Sequence, residues 1–162
     1  RARYLRLVET LRDAVPDLAL GTDLIVGFPG ESDADFEETL SLVDEVRFDS
    51  AFTFIYSPRA GTEAASLPNA VPDDLKHERL EILVERVQRS AAERNAERIG
   101  GVEEVLVEGR SRTDTLLARG RTRRNTVVNF AGHAAPGDLV DVLIEDATST
   151  TLRGRVSSLV AA

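Results

Sequence analysis

Cysteine and methionine are both absent from this sequence of 162 residues, which begins with Arg1. Without cysteine, the chain can form no disulfide and supplies no thiolate ligand to zinc or to an iron–sulfur cluster. Its two histidines, His77 and His133, are far apart in the sequence, and we therefore predict no metal site. Because a complete translated protein normally begins with methionine, we expect the sequence to be a piece of a longer protein.

Long apolar runs are missing as well. No segment approaches the roughly 20 apolar residues that a membrane-spanning helix requires, and the chain does not start with a basic-then-apolar signal segment. Hydrophobic residues make up 42% and charged residues 30%, a composition typical of soluble globular proteins. We expect a cytoplasmic protein. No Ser-His-Asp arrangement and no isolated pair of carboxylates stands out, so we predict no catalytic residue in this sequence.

The net charge of −8 is unevenly distributed. Residues 1–100 carry 20 acidic and 12 basic residues, whereas residues 101–162 carry 8 of each. Within the second part, residues 110–124 contain six arginines and a single acid, Asp114. The overall acidity therefore does not exclude a nucleic-acid partner, but it restricts the expected contact to this one stretch.

The first half of the chain predicts an α/β unit. Apolar spacing indicates a helix over residues 4–14 that ends before Pro16, and residues 18–28 form an apolar strand with so little alternation that we expect both of its faces to be covered. Ser32 is placed to cap the next helix, with Asp35 at the capping-box position. A second strand over residues 51–56 completes a βαβ unit, which implies parallel strands.

The second half predicts a small barrel. The longest periodic segment, residues 73–98, is a helix that ends at Gly100-Gly101, where we place a domain boundary. Beyond it the hydrophobic period changes to two, as in β-strands. Five short strands in about 60 residues suit a closed or nearly closed barrel similar in layout to an OB-fold. The strand sequences are VEEVLVEG, TLLARGR, NTVVNF, LVDVLIED and TLRGRV.

Two irregular loops follow the two parallel strands. GFPGE, residues 27–31, leaves the first strand, and YSPRAGT, residues 56–62, leaves the second. Because the carboxyl ends of parallel strands share one edge, we expect the loops to face each other where α/β proteins bind ligands. Glycines allow close approach of a ligand to the backbone, and Arg59 could bind a carboxylate or phosphate. The alternatives are an ordinary tight βα loop and a surface arginine.

The third candidate site is the arginine-rich stretch of the barrel. Arginine contacts phosphates and stacks on unpaired bases, and asparagine can bind a base edge. We predict RNA binding here, on the condition that neighbouring acids do not occupy the arginines; the alternative is a solvated charged face. The candidate residues are Arg119, Arg121, Arg123, Arg124, Asn125 and Asn129.

Together, the segments TDLIVGFPGE, FDSAFTFIYSPRAGT, GRTRRNTVVNF and PGDLVDVLI resemble the tRNA methylthiotransferases of the MiaB type, which are radical S-adenosylmethionine enzymes. The resemblance covers nearly the whole chain. It implies that residues 1–98 are the C-terminal portion of a partial (β/α) radical-SAM barrel and that residues 101–160 are a TRAM domain, a five-stranded OB-like barrel that binds RNA.

The resemblance also implies an activity. The intact enzyme would methylthiolate carbon 2 of an isopentenylated adenosine beside the tRNA anticodon, using S-adenosylmethionine and two [4Fe–4S] clusters. The cluster ligands are absent from this cysteine-free chain, which we expect to be inactive alone. The partner would be the tRNA anticodon stem-loop. Sister branches of the family, which modify a threonylcarbamoyl-bearing adenosine of tRNA or an aspartate of a ribosomal protein, are the alternatives.

By the same resemblance, the two loops and their strands would border S-adenosylmethionine. Ala60 stands where many relatives have proline, which loosens the second loop slightly. Ser57 and Arg59 would belong to a substrate-side loop. A cut barrel exposes a sheet edge and apolar surface, so we also expect a dimer or a swapped assembly. The implied cofactor-binding residues are Ile25, Gly27, Phe28, Glu31, Thr53, Ile55 and Tyr56.

Overall fold

The computed structural model describes residues 1–159, with side chains described up to residue 157. Val160, the last residue of the predicted TRAM range, lies outside the described residues. The chain divides into two compact units, one comprising residues 20–90 and the other residues 1–19 together with those from 91 onward. The elements are α1 (Ala2–Ala14), β1 (Gly21–Val26), α2 (Asp33–Val46), β2 (Ser50–Ile55), a 3₁₀ turn (Glu63–Ser66), α3 (Asp73–Ala96), β3 (Val102–Arg110), β4 (Ala118–Thr122), β5 (Val127–Ala131), β6 (Leu139–Ala147) and β7 (Thr151–Leu159).

The unit of residues 20–90 is built on a parallel strand pair. β1 and β2 pair in register from Gly21 opposite Ser50 to Val26 opposite Ile55. Between them, α2 begins with the predicted capping box: the Ser32 side chain accepts from the Asp35 N–H, and the Asp35 carboxylate accepts from the Ser32 N–H. The apolar face of α2 is buried: the spacing of Phe36, Leu40 and Val43 in the sequence predicts such a face, and Val46 joins it in the structure.

Only one face of this strand pair is covered, contrary to the expectation of two covered faces. Leu24 and Val26 are buried on one side. On the other side Ile25 is 55%, Phe52 70% and Phe54 48% exposed. The physical reason is that the sheet has only two strands, and no further layer of the described chain packs over the second face.

The closed barrel has the strand order β3-β4-β5-β7-β6. All neighbours are antiparallel except β5 and β7, which are parallel. Inward residues form one apolar cluster, and the fully buried Phe130 is its largest member. The α/β class with a five-stranded barrel, predicted from the sequence, is thereby confirmed.

Two glycines allow the barrel strands to approach each other closely. A Cβ on Gly120 of β4 would collide with the Leu106 carbonyl oxygen, and one on Gly154 of β7 with the Leu143 carbonyl oxygen. Both positions lie on the inner side of their strands and are buried. Larger side chains there would push neighbouring strands apart.

Candidate cofactor edge and nucleic-acid surface

The GFPGE turn, residues 27–31, leaves β1 through two glycines in the left-handed region. Gly27 has φ +76° and Gly30 has φ +86°, conformations that other residues adopt only with strain. Gly27 N–H donates to Glu31 Oε2 at 3.1 Å, and Glu31 N–H donates to the Phe28 carbonyl at 2.9 Å. Glu31 therefore fixes the turn from both its side chain and its backbone.

Arg79 of α3 holds this turn from the other side. Its side chain is only 3% exposed, and its Nη1 donates to Glu31 Oε1 at 2.6 Å while Nη2 donates to Asp33 Oδ1 at 2.6 Å. The guanidinium also lies 5.4 Å from the centre of the Phe36 ring. Burial opposes the charge, but hydrogen bonds with Asp33 and Glu31 outweigh it and hold the pKa of Arg79 above its usual value.

The space above Gly27 is already filled within this unit. A Cβ on Gly27 would collide with the Lys76 side chain, whereas one on Gly30 would meet no atom within 4 Å. The structure therefore supplies an intramolecular reason for glycine at position 27, namely its positive φ and the packing of Lys76. Close approach of a ligand, the reason inferred from the sequence, stays a prediction.

The second loop meets the first at the carboxyl edge of the strands. Tyr56 N–H donates to the Val26 carbonyl at 2.8 Å, and the rings of Phe28 and Tyr56 make an edge-to-face contact at 5.0 Å. Tyr56 Oη is buried and has no hydrogen-bond partner among the described residues. A buried hydroxyl without a partner is costly, so Tyr56 keeps a hydrogen-bonding group that the described residues leave unused.

The predicted cofactor residues do not all share one face. Ile25 lies on the exposed face, while Thr53 and Ile55 pair with Leu24 and Val26 of the covered face. Because backbone groups alternate along a strand and Tyr56 N–H points to β1, the N–H and C=O groups of Thr53 and Ile55 point to the open edge of β2. These two residues can therefore contribute backbone, not side-chain, contacts on that edge.

The substrate-side loop residues are exposed. Ser57 and Arg59 both lie at the surface. The Arg59 carbonyl accepts from the N–H of Thr62 at 3.2 Å and from its hydroxyl at 2.8 Å. The loop is thus a hydrogen-bonded turn that leaves the Arg59 guanidinium facing solvent.

Three of the predicted RNA-binding arginines are paired with glutamates of β3. Alternation places Arg119, Arg121 and Arg123 on the outer face of the barrel, beside outward carboxylates of the neighbouring strand. Arg119 and Arg121 contact Glu108 at 3.5 and 2.9 Å, and Arg123 contacts Glu104 at 2.7 Å. The condition that neighbouring acids leave the arginines free is therefore not met for these three.

One row of side chains across the outer face of the barrel has fewer acidic partners than the three arginines just described. Asn129 of β5 lies directly between Arg119 of β4 and Arg153 of β7. Arg153 is exposed, and its side chain makes no ion pair or hydrogen bond within the described part of the chain. Asn129 Oδ1 is buried with no hydrogen-bond partner among these residues. Arg119, Asn129 and Arg153 together we call the outer row.

The two remaining candidates lie in the β4–β5 turn. Asn125 adopts φ +62°, and its carbonyl and side-chain oxygens accept from Arg121 Nη1 at 3.1 and 3.0 Å. Arg124 is half-buried, and its Nη2 donates to the Leu18 carbonyl at 3.4 Å. The turn is thus anchored to β4 and to the segment between α1 and β1.

Comparison with known proteins identifies the barrel. Residues 96–157 match the model of the TRAM domain family. The barrel is a TRAM domain. All five strands of the barrel, β3 to β7, begin within the matched residues.

The whole chain is similar to bacterial enzymes named tRNA-2-methylthio-N(6)-dimethylallyladenosine synthase. It is 46% identical to the one from Thermoanaerobacter sp. (strain X514) over 99% of this chain and 34% of the relative. The identity is 50% with the one from Clostridium botulinum (strain Hall), over 95% of this chain and 34% of that protein. It is 56% with the one from Caldicellulosiruptor saccharolyticus, over 78% and 26% respectively.

These similarities confirm the resemblance to MiaB-type tRNA methylthiotransferases that the sequence motifs indicated. The chain spans only about a third, 34%, of the length of the first two relatives. Among the described residues no helix is long and apolar enough to cross a membrane. The same residues contain no group of three or more His, Cys, Asp or Glu side chains placed to hold a metal ion.

The roles of two residues in these sites cannot be predicted from local sequence patterns. Arg79 is separated from Glu31 and Asp33 by more than 40 residues, so no local pattern connects them. Arg153 lies in the outer row only because β7 pairs with β5, a pairing that strand alternation alone does not predict. By contrast, the alternation of Glu104 and Glu108 with valines is visible in the sequence and places both on the outer face.

Proposed function

We propose that this chain is the C-terminal part of a tRNA-2-methylthio-N(6)-dimethylallyladenosine synthase, a cytoplasmic enzyme that methylthiolates carbon 2 of the isopentenylated adenosine beside the anticodon. The single observation that carries this proposal is the similarity to enzymes of that name, at 46% identity over 99% of the chain. It supports this branch over those acting on threonylcarbamoyladenosine or on a ribosomal protein. In the proposal, residues 1–98 belong to the radical-SAM barrel and residues 101–160 to the TRAM domain.

The edge of residues 20–90 fits S-adenosylmethionine in part. The outward backbone groups of Thr53 and Ile55 and the unpartnered Tyr56 hydroxyl offer hydrogen bonds, while the exposed Ile25 offers an apolar surface. Phe28 and Glu31 hold the turn that borders this edge. S-adenosylmethionine, when bound in such enzymes, supplies the radical chemistry; the residues of this chain would bind and orient its adenine end.

Iron–sulfur clusters do not fit this chain. Their protein ligands are cysteine thiolates, and the sequence contains no cysteine. In the proposed enzyme both [4Fe–4S] clusters are held by residues outside this sequence. We accordingly assign no catalytic residue here and expect the chain to be inactive by itself.

The TRAM domain would hold the anticodon stem-loop so that the adenosine reaches the reactive centre. Ion pairs on a protein surface contribute only about 0–1 kcal/mol each, so RNA phosphates can replace Glu104 and Glu108 as partners of Arg119, Arg121 and Arg123. Arg153 requires no such exchange. Binding energy of this kind serves to orient the reacting base.

The test is the salt dependence of RNA binding. If about four phosphates of a single-stranded loop are contacted, log K should fall with log salt at a slope of about −3. Replacing Arg121, Arg123 and Arg124 by alanine should weaken binding of an anticodon stem-loop and flatten this slope. The charge-matched control replaces three exposed arginines that lie on helices, Arg3 and Arg6 of α1 and Arg89 of α3, by alanine. Salt-independent binding, or equal loss in both triple variants, would contradict the proposal.

A further inference from the structure

A cavity of about 620 Å³ lies within the unit that contains the barrel. One wall is the segment between α1 and β1, residues 15–19, and the other is formed by the start of β3 and the β4–β5 turn. The size falls within the range of about 300–1,000 Å³ that is usual for small-ligand sites. It is distinct from the outer row, which lies on β4, β5 and β7.

The walls of this cavity combine apolar and planar polar groups. Val15 and Val102 line it and are 47% and 58% exposed, with Leu18 beside them. Arg124 and Asn125 contribute a guanidinium and an amide. The hydrogen bond from Arg124 Nη2 to the Leu18 carbonyl at 3.4 Å joins the two walls.

The charges lining the cavity balance each other. The lining contains two arginines, Arg123 and Arg124, and two acids, Asp17 and Glu103, so its formal charges cancel. Arg123 is further paired with Glu104 at 2.7 Å. A phosphate would therefore gain little here, whereas an uncharged planar group with hydrogen-bonding edges would match both the apolar surface and the polar side chains.

We propose that this cavity receives one unstacked base of the RNA that binds the barrel. The inference rests on the proposed tRNA-binding function and deepens it. Bases of single-stranded loops are bound by stacking on guanidinium planes or apolar surface and by hydrogen bonds to their edges. The outer row and the arginines of β4 bind phosphates, while the cavity binds a base.

The experiment places the fluorescent base 2-aminopurine at each loop position of an anticodon stem-loop in turn. Binding to the full chain should change the fluorescence strongly at one position, because that base leaves the RNA stack and enters the cavity. Overall affinity is measured in parallel by fluorescence anisotropy at low salt.

Val102→Asp is the diagnostic variant, since it places a charge on an exposed apolar wall. Leu139→Asp, at an apolar β6 residue that is 43% exposed and does not line the cavity, is the matched control. Val102→Asp should weaken RNA binding roughly tenfold, the effect of losing one stacked base. Leu139→Asp should leave it unchanged. If Val102→Asp does not fold by circular dichroism, Val15→Asp on the opposite wall replaces it.

An RNA lacking the identified base supplies the decisive comparison. It should bind the unaltered chain about as weakly as the complete RNA binds Val102→Asp, and the variant should not weaken it further. Equal affinity of Val102→Asp and the unaltered chain, or no position-specific fluorescence change, would overturn this inference while leaving RNA binding intact. No RNA binding by the unaltered chain at low salt would instead overturn the proposed function and this inference with it.

Discussion

Arg79 shows how a single residue can organise a turn that lies far from it in sequence. Its two nitrogens bind Glu31 and Asp33 at 2.6 Å each, and Glu31 in turn accepts from Gly27. A buried arginine with two carboxylate partners is costly to disrupt, because removal of one partner leaves the others without compensation. The geometry of the candidate cofactor edge therefore depends on this residue.

Arg79→Ala should lower the free energy of unfolding by roughly 3 kcal/mol, near the lower end for buried pairs because Asp33 is exposed. Urea denaturation measures this, and hydrogen exchange should show faster exchange at the Gly27 amide. Arg89→Ala removes a solvent-exposed pair with Glu85 and should change stability by less than about 0.5 kcal/mol. Equal stability of the two variants would show that Arg79 does not hold the turn.

The capping box of α2 makes a pH-dependent prediction. Side-chain and backbone hydrogen bonds from Ser32 hold the pKa of Asp35 below its usual value. A lowered carboxylate pKa adds stability above the pKa of the unfolded chain, and this is lost as pH falls through the lower folded value. Ser32→Ala should lower the free energy of unfolding by about 1 kcal/mol at neutral pH. Urea denaturation at a series of pH values should show that this difference becomes smaller in acid. A difference that stays constant down to pH 2 would contradict this account.

At the scale of elements, what the sequence predicts depends on how local the determining contacts are. The capping box of Ser32 and Asp35, the buried stripe of α2 and the alternating strands of the barrel all follow from short-range patterns, and the structure contains them. The parallel pairing of β5 with β7 and the ion pairs of β4 with β3 depend on strand order. Strand order is set by closure of the whole barrel, which no local pattern encodes.

A substitution at Gly154 tests how closely the strands of the barrel pack. Its missing Cβ leaves room for the Leu143 carbonyl, and Val142 Cγ1 would lie at 2.9 Å. Gly154→Ala should therefore lower the free energy of unfolding by about 1–3 kcal/mol through overpacking. Arg155→Ala changes the next, exposed residue of β7 and serves as the control. Thermal denaturation of both variants checks this, and an unchanged midpoint for Gly154→Ala would show that the strands can separate without cost.

At the scale of the molecule, the sequence predicts the fold class and the barrel but not the exposure of the β1–β2 sheet. The apolar run of β1 indicates burial on both faces, because hydrophobic patterning reports what a strand prefers rather than what covers it. The structure shows one covered face and one open face. The relatives are about three times as long as the segment that they share with this chain, which spans 34% of their length. We expect further chain of the proposed enzyme to cover that face.

The open face leads to the prediction that the isolated chain self-associates. Ile25, Phe52 and Phe54 form an apolar surface on one side of a sheet, and exposed apolar surface of this kind promotes association. Light scattering of the unaltered chain should give the mass of a dimer or a larger assembly. Phe52→Asp should shift it towards the monomer, because a charge on that surface is costly to bury. Leu116→Asp, at an exposed apolar residue of the barrel unit, should not. A monomeric unaltered chain at high concentration would contradict the prediction, and a dimer insensitive to Phe52→Asp would place the contact elsewhere.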